Sequence, residues 1–88
     1  MKVEFRKSFV KDIRGISDEK LLRKLKETIE AVENVSTLHD LPNCQKLKGE
    51  DGYFRLKIGV YRLGCALDGD ALIFVRLLHR KDIYKFFP

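Results

Sequence analysis

The chain has 88 residues, 44% of them hydrophobic, with 18 Lys and Arg against 13 Asp and Glu and a net charge of +5. That apolar content excludes disorder, and the length suits one small domain over residues 1–88 with a modest core. No apolar run approaches the roughly 18 residues of a membrane span, and Met1-Lys2-Val3-Glu4-Phe5 lacks the apolar stretch of a signal peptide, so a cytoplasmic location without a membrane partner is expected.

Lys2 to Arg6 alternates charged and apolar residues and reads as a short strand with Val3 and Phe5 inward. Ser8 suits the N-cap of a short helix from Phe9 to Arg14, whose stripe is Phe9, Val10 and Ile13 and whose stop is Gly15. Ser17 is the expected cap of the longest helix, which runs to about Val35. Leu21, Leu22, Leu25, Ile29 and Val32 share one face of it at helical spacing. Arg23/Glu27 and Lys26/Glu30 stand four apart on a solvated face and support the helix weakly. Ser36 to Asn43 is a connector ended by Pro42, with Leu38 and Leu41 pinning it to the core.

The second half is strands. Gln45 to Lys48 is a short candidate, and Gly49-Glu50-Asp51-Gly52 turns the chain back. Tyr53–Ile58 and Tyr61–Leu67 form a hairpin about Gly59, and Asp68-Gly69-Asp70 is the clearest hairpin turn. Ala71–Leu78 is apolar on both faces except at Arg76 and reads as the central strand. Asp82 is placed to cap a last helical turn through Phe87. The expected class is α+β: an N-terminal strand, a two-helix hairpin, then an antiparallel meander in one sheet with the helices on one face.

Strand parity separates the side chains. Tyr53, Arg55 and Lys57 share one face of their strand, while Phe54, Leu56 and Ile58 share the other. Aligned with Arg62, Arg76 and Arg80, they give one apolar face and one cationic face. A core does not tolerate so many unpaired cations, so that face meets water or a polyanion. Residues 1–44 hold nine Lys/Arg and eight Asp/Glu, whereas residues 45–88 hold nine and five, so the excess sits on the strands. Nucleic acid is the first partner this implies and an acidic protein the second. Cys44, Cys65, His39 and His79 include no close C-x-x-C pair. Two reduced thiols and no metal are expected.

Four short motifs in order carry a resemblance: Lys46-Leu47-Lys48-Gly49, Tyr53-Phe54-Arg55-Leu56-Lys57-Ile58, Tyr61-Arg62-Leu63, and His79-Arg80-Lys81-Asp82-Ile83-Tyr84. With the strand–helix–helix opening, they resemble the RelE/ParE superfamily of bacterial and archaeal toxins over essentially the whole chain, and the RelE branch most. The resemblance implies a type II toxin with a cognate antitoxin partner and a RelE-like fold. It also implies metal-independent, cofactor-free cleavage of mRNA in the ribosomal A site, with ribosome and mRNA as the other partners. ParE-like members share the fold and poison DNA gyrase, so a gyrase poison, or a relative that binds only its antitoxin, is the alternative. A general RNA-binding module without toxicity is a third reading.

The family's functional positions fall on Arg55, Lys57, Arg62, Arg80 and Tyr84. Well-known members carry lysine where Arg55 stands, and arginine stays protonated and cannot be a base. RNA supplies its own nucleophile, the 2′-hydroxyl. Its attack needs in-line geometry, a base, and cations for the phosphorane. Arg55, Lys57 and Arg62 suit the last task. Arg80 suits the leaving oxygen, Tyr84 suits stacking or proton removal, and His79 has the intrinsic chemistry for proton transfer. Lys46, Lys48, Arg76 and Lys81 are further candidates for holding RNA.

Overall fold

The computed structural model describes residues 1–49 and 51–88. The elements are β1 (Lys2–Phe5), α1 (Lys7–Arg14), α2 (Glu19–Asn34), a 3-10 turn (Leu38–Asp40), β2 (Cys44–Lys46), β3 (Tyr53–Ile58), β4 (Tyr61–Asp68), β5 (Ala71–His79) and α3 (Ile83–Phe86). All five strands form one sheet in the order β1-β5-β4-β3-β2. β2 to β5 are the expected antiparallel meander, and β1 lies parallel to β5 at the far edge. The middle strand is therefore β4 rather than the 71–78 run. β5 is nonetheless an inner strand, hydrogen-bonded to β1 and β4, which explains why it is apolar on both faces.

The helix starts differ from the expectation. α1 begins one residue before Ser8, with Arg6 at its N-cap and no side-chain cap. The Ser8 hydroxyl instead donates to the Val75 carbonyl at 2.6 Å. The long helix is capped by Asp18 rather than Ser17, and its carboxylate accepts from the N–H groups of Lys20 and Leu21. A carboxylate satisfies the orphan donors and also meets the positive helix end. Asp82 precedes α3 without a side-chain cap bond. Among the described residues, Arg23/Glu27 and Lys26/Glu30 do not close to 4.0 Å; the ion pairs that do are Lys2–Asp70 and Arg76–Asp12. The expected turn at residues 49–52 includes Glu50, which lies outside the described residues.

α1 packs on β5 and α2 on β1 and β3. Phe9, Leu21, Leu25 and Val32 from the helices meet Leu56, Ile58, Leu63, Cys65, Leu72, Phe74 and Leu77 from the sheet. Leu41 is buried and Leu38 half-buried, so the connector is pinned as expected. Val3 and Phe5 face the core side as alternation suggests; Phe5 stacks on Phe9 with centroids 5.4 Å apart and meets Phe74 edge-on, but at the sheet edge it stays half exposed.

A smaller apolar group lies outside that core: Ala71, Ile73, Ile83 and Phe87. It is on the other sheet face. Gly64, paired with Arg55 and Arg76, points away from the Leu63 side, and a Cβ built on Gly64 would come within 2.7 Å of the Phe87 ring. Phe87 also meets Tyr53 edge-on at 5.7 Å. The α1/α2 layer thus covers one face of the sheet, and the short α3 with Phe87 closes part of the other. This second layer is what brings Tyr84 to the cations.

Candidate functional site

The β3–β4 hairpin positions the cations. Gly59 has φ 60, a left-handed conformation that glycine adopts without a Cβ penalty, and so permits a two-residue turn. That turn fixes the register. Lys57 stands directly across from Arg62, and Arg55 across from Gly64. Two like charges facing one another across a strand pair are unfavourable without an anion. Among the described residues, none of Arg55, Lys57 and Arg62 has a carboxylate within 4.0 Å.

Each side chain is held differently. Arg62 donates through Nη1 to the carbonyls of Gly59 and Tyr61, at 3.0 and 2.9 Å, so it braces its own turn while facing the groove. The Arg55 guanidinium lies over the Tyr84 ring, 4.6 Å from its centroid. Its Nε is shut off from solvent and has no acceptor among the described residues. A buried donor left without a partner is costly. Lys57 is exposed, and Tyr84 is 72% exposed although its ring is already paired with Arg55.

These four residues line one concavity of about 390 Å³, with Pro42, Asn43, Cys44 and Gln45 as the opposite wall. The sequence marked that wall only as connector and strand start. For Gln45 there was a signal: parity on β2 puts it opposite Arg55 once the register is known. For Pro42 and Asn43 there was none. Lys46 and Lys48 border an adjoining concavity with Arg55 and Tyr84.

The remaining candidates lie elsewhere. Arg76 is not part of the cation cluster. Its Nε and Nη2 donate to the Asp12 carboxylate at 2.8 and 3.1 Å, and that pair holds the guanidinium more firmly protonated. By register Arg76 pairs with Gly64, in line with Arg55 on the same sheet face, and it is the Asp12 carboxylate on α1 that draws its guanidinium out of the cluster. His79 shares the face of Leu77 and pairs with Tyr61, on the α1/α2 side of the sheet. Its ring is edge-on to Tyr61 at 5.8 Å, and its Nδ1 accepts from the Lys81 N–H, which leaves the ring proton on Nε2. The structure therefore separates His79 from Arg55, Lys57, Arg62 and Tyr84. Arg80 is exposed and stands at the Arg62 end of the sheet, where its N–H donates to the Val60 carbonyl. Neither Arg80 nor Lys81 lines the groove.

Cys44 and Cys65 are free thiols, and burial pushes both above the usual thiol range. Among the described residues, no group of three His, Cys, Asp or Glu side chains could hold a metal ion, and no helix is long and apolar enough to cross a membrane. What the groove offers is clustered fixed cations, an aromatic ring and an amide wall. That set suits a phosphodiester with attached bases.

Comparison with known proteins places the chain. A family model described as the ParE toxin of a type II toxin–antitoxin system, parDE, matches residues 3–84. Toxin RelE3 of Methanocaldococcus jannaschii is 43% identical over 89 residues, covering the whole of both chains. Putative toxin RelE1 of the same organism is 30% identical over 81 residues, 91% of this chain and 89% of that one. Among solved structures, a RelB–RelE antitoxin–toxin complex from Methanococcus jannaschii aligns with a TM-score of 0.80 at 38% identity, over 97% of this chain and 99% of that one. The YoeB dimer from Staphylococcus aureus has the same fold, with a TM-score of 0.74 at 19% identity over 90% of this chain and 95% of that one.

Proposed function

The chain belongs to the ParE/RelE family of type II toxin–antitoxin toxins, and from that premise we propose that it is a ribosome-dependent mRNA endonuclease. The observation that carries the reading is the groove in which Arg55, Lys57 and Arg62 converge without a carboxylate and meet Tyr84. A plain solvated face would not gather three cations about one concavity.

In the proposed reaction the ribose 2′-hydroxyl attacks the adjacent phosphorus in line. The P–O5′ bond breaks, leaving a 2′,3′-cyclic phosphate and a 5′-hydroxyl. Arg62 and Arg55 bind the non-bridging oxygens, whose charge grows in the phosphorane. Lys57 or Tyr84 takes the 2′-hydroxyl proton, since Arg55 cannot. The departing 5′-oxygen takes its proton from water, and Arg80, at the Arg62 end of the sheet, offsets the charge that develops on it. Neither an amine nor a phenol is an efficient base at neutral pH, so positioning carries more of the rate, and the ribosome supplies it by presenting mRNA in its A site. Lys46, Lys48 and Lys81 help hold RNA, while His79, on the other face of the sheet, takes no part in the proton transfer.

A cognate antitoxin is the protein partner, a reading supported by the similar RelB–RelE complex. The matching family model carries the ParE name, which favours gyrase poisoning as the second reading. Expressing the chain with and without the neighbouring open reading frame, and mapping mRNA 5′ ends, separates the two. Immediate loss of protein synthesis with new 5′ ends supports the nuclease. A DNA-damage response with normal early translation supports the gyrase poison.

A further inference from the structure

Beside the groove lies a second concavity of about 410 Å³, lined by Gln45, Leu47, Lys48, Arg55, Tyr84 and Phe87, with Lys46 at its rim on the sheet edge. It shares Gln45, Arg55 and Tyr84 with the first, so the Arg55–Tyr84 stack is the ridge between them. Its walls differ in chemistry. Leu47 and Phe87, half-buried and 6% exposed, form an apolar base. Lys48 is exposed beside it, and Gln45, opposite Arg55, presents a planar amide with both donor and acceptor. The volume falls within the roughly 300–1,000 Å³ typical of small-ligand pockets.

We infer that this concavity is a nucleotide subsite. It takes the ribonucleotide next to the scissile phosphate. The base lies against Leu47 and Tyr84, its edge is read by the Gln45 amide, and its phosphate is held by Lys48 and Arg55. An acidic peptide would use the cations but would leave the amide and the apolar base unread. The inference rests on the reading of the chain as an RNA-cutting toxin, and it adds where sequence preference arises. Gln45 sets that preference, because cations and stacking surfaces accept any base whereas an amide discriminates by its donor–acceptor pair.

The test is binding rather than cutting. Purified toxin is titrated with 2′-O-methyl oligoribonucleotides of one to four residues, which lack the attacking hydroxyl. The second nucleotide should raise affinity about tenfold, by an amount that depends on its base. Gln45→Ala should flatten the base dependence, and Lys48→Glu should remove most of the gain that the second nucleotide brings. Both residues are exposed, so the variants should fold, which circular dichroism checks. Affinity that does not rise after the first nucleotide overturns the subsite, as does a rise that survives both substitutions. A gain without base dependence assigns the concavity to simple phosphate or acidic-peptide binding and equally overturns it. Because no ribosome is present, a protein that binds this way yet cuts no mRNA would keep the subsite and lose the nuclease reading.

Discussion

Arg62 does two things at once, and its substitution separates them. One guanidinium nitrogen is spent on the carbonyls of Gly59 and Tyr61, while the groove takes the charge. The two hydrogen bonds lie at a half-exposed turn, so Arg62→Ala should cost only about 1 kcal/mol of stability. Loss of a cation at the developing phosphorane should cost about 100-fold or more in activity. Thermal unfolding and translation inhibition measured on the same variant distinguish a stable, inactive protein from an unfolded one. Gly64 makes the opposite point, since it contributes by lacking a side chain. A methyl there would fall 2.7 Å from the Phe87 ring. Gly64→Ala should cost about 1–3 kcal/mol through overpacking and displace α3 with Tyr84. In a Tyr84→Ala background, the same change should reduce cleavage no further.

At the scale of elements, β1 ends at Phe5 while β5 runs on to His79, so β5 is left with a bare edge. α1 closes it with side chains. Ser8 donates to the Val75 carbonyl, and Asp12 accepts from the Leu77 N–H and from Arg76. Unpaired strand edges invite misassociation, and covering them is the general remedy. Asp12→Ala strands both the Arg76 charge and the Leu77 N–H, with Arg76 only 27% exposed. It should destabilise the fold by about 2–4 kcal/mol, more than Asp12→Asn, which keeps an acceptor; urea unfolding compares the two.

This element also shows how far the sequence could be read. Alternation assigned Arg55, Lys57 and Arg62 to one face because β3 and β4 pair without interruption there. Arg76 keeps that face by register, paired with Gly64, but the Asp12 carboxylate takes its guanidinium out of the cluster, and a partner 64 residues away leaves no local signal. For His79 the information was present: it follows Leu77 in parity, and Leu77 is core. α3 has four residues and no periodicity to reveal that it lies on the second face, so the Arg55–Tyr84 contact was not legible. Ser8 and Ser17 both suit a helix cap by residue type. The register of the sheet decided otherwise for Ser8, and the neighbouring Asp18 carboxylate took the cap from Ser17.

Across the whole molecule the charge is lopsided, with nine Lys/Arg against five Asp/Glu in residues 45–88. The groove gathers three of those cations, Arg55, Lys57 and Arg62. An antitoxin that silences the protein should therefore bring acidic and apolar residues to the face carrying Arg62, or displace α3 with the exposed Phe86. Co-expression should restore growth and yield a stable complex. Arg62→Glu should weaken that complex measurably, and an unchanged affinity would remove the electrostatic part of this expectation.

The same asymmetry bears on the proposed cleavage. With His79 on the far side of the sheet, no imidazole lines the groove among the described residues, and the proposed reaction would depend on geometry imposed from outside. The direct measurement uses purified toxin and end-labelled mRNA, with and without programmed ribosomes, with EDTA in the free-RNA arm, for the wild type, Arg62→Ala and His79→Ala. The account predicts rapid cutting only on the ribosome, abolished by Arg62→Ala and largely retained by His79→Ala. Cutting of naked RNA at a rate near that on the ribosome, lost in His79→Ala, would contradict it.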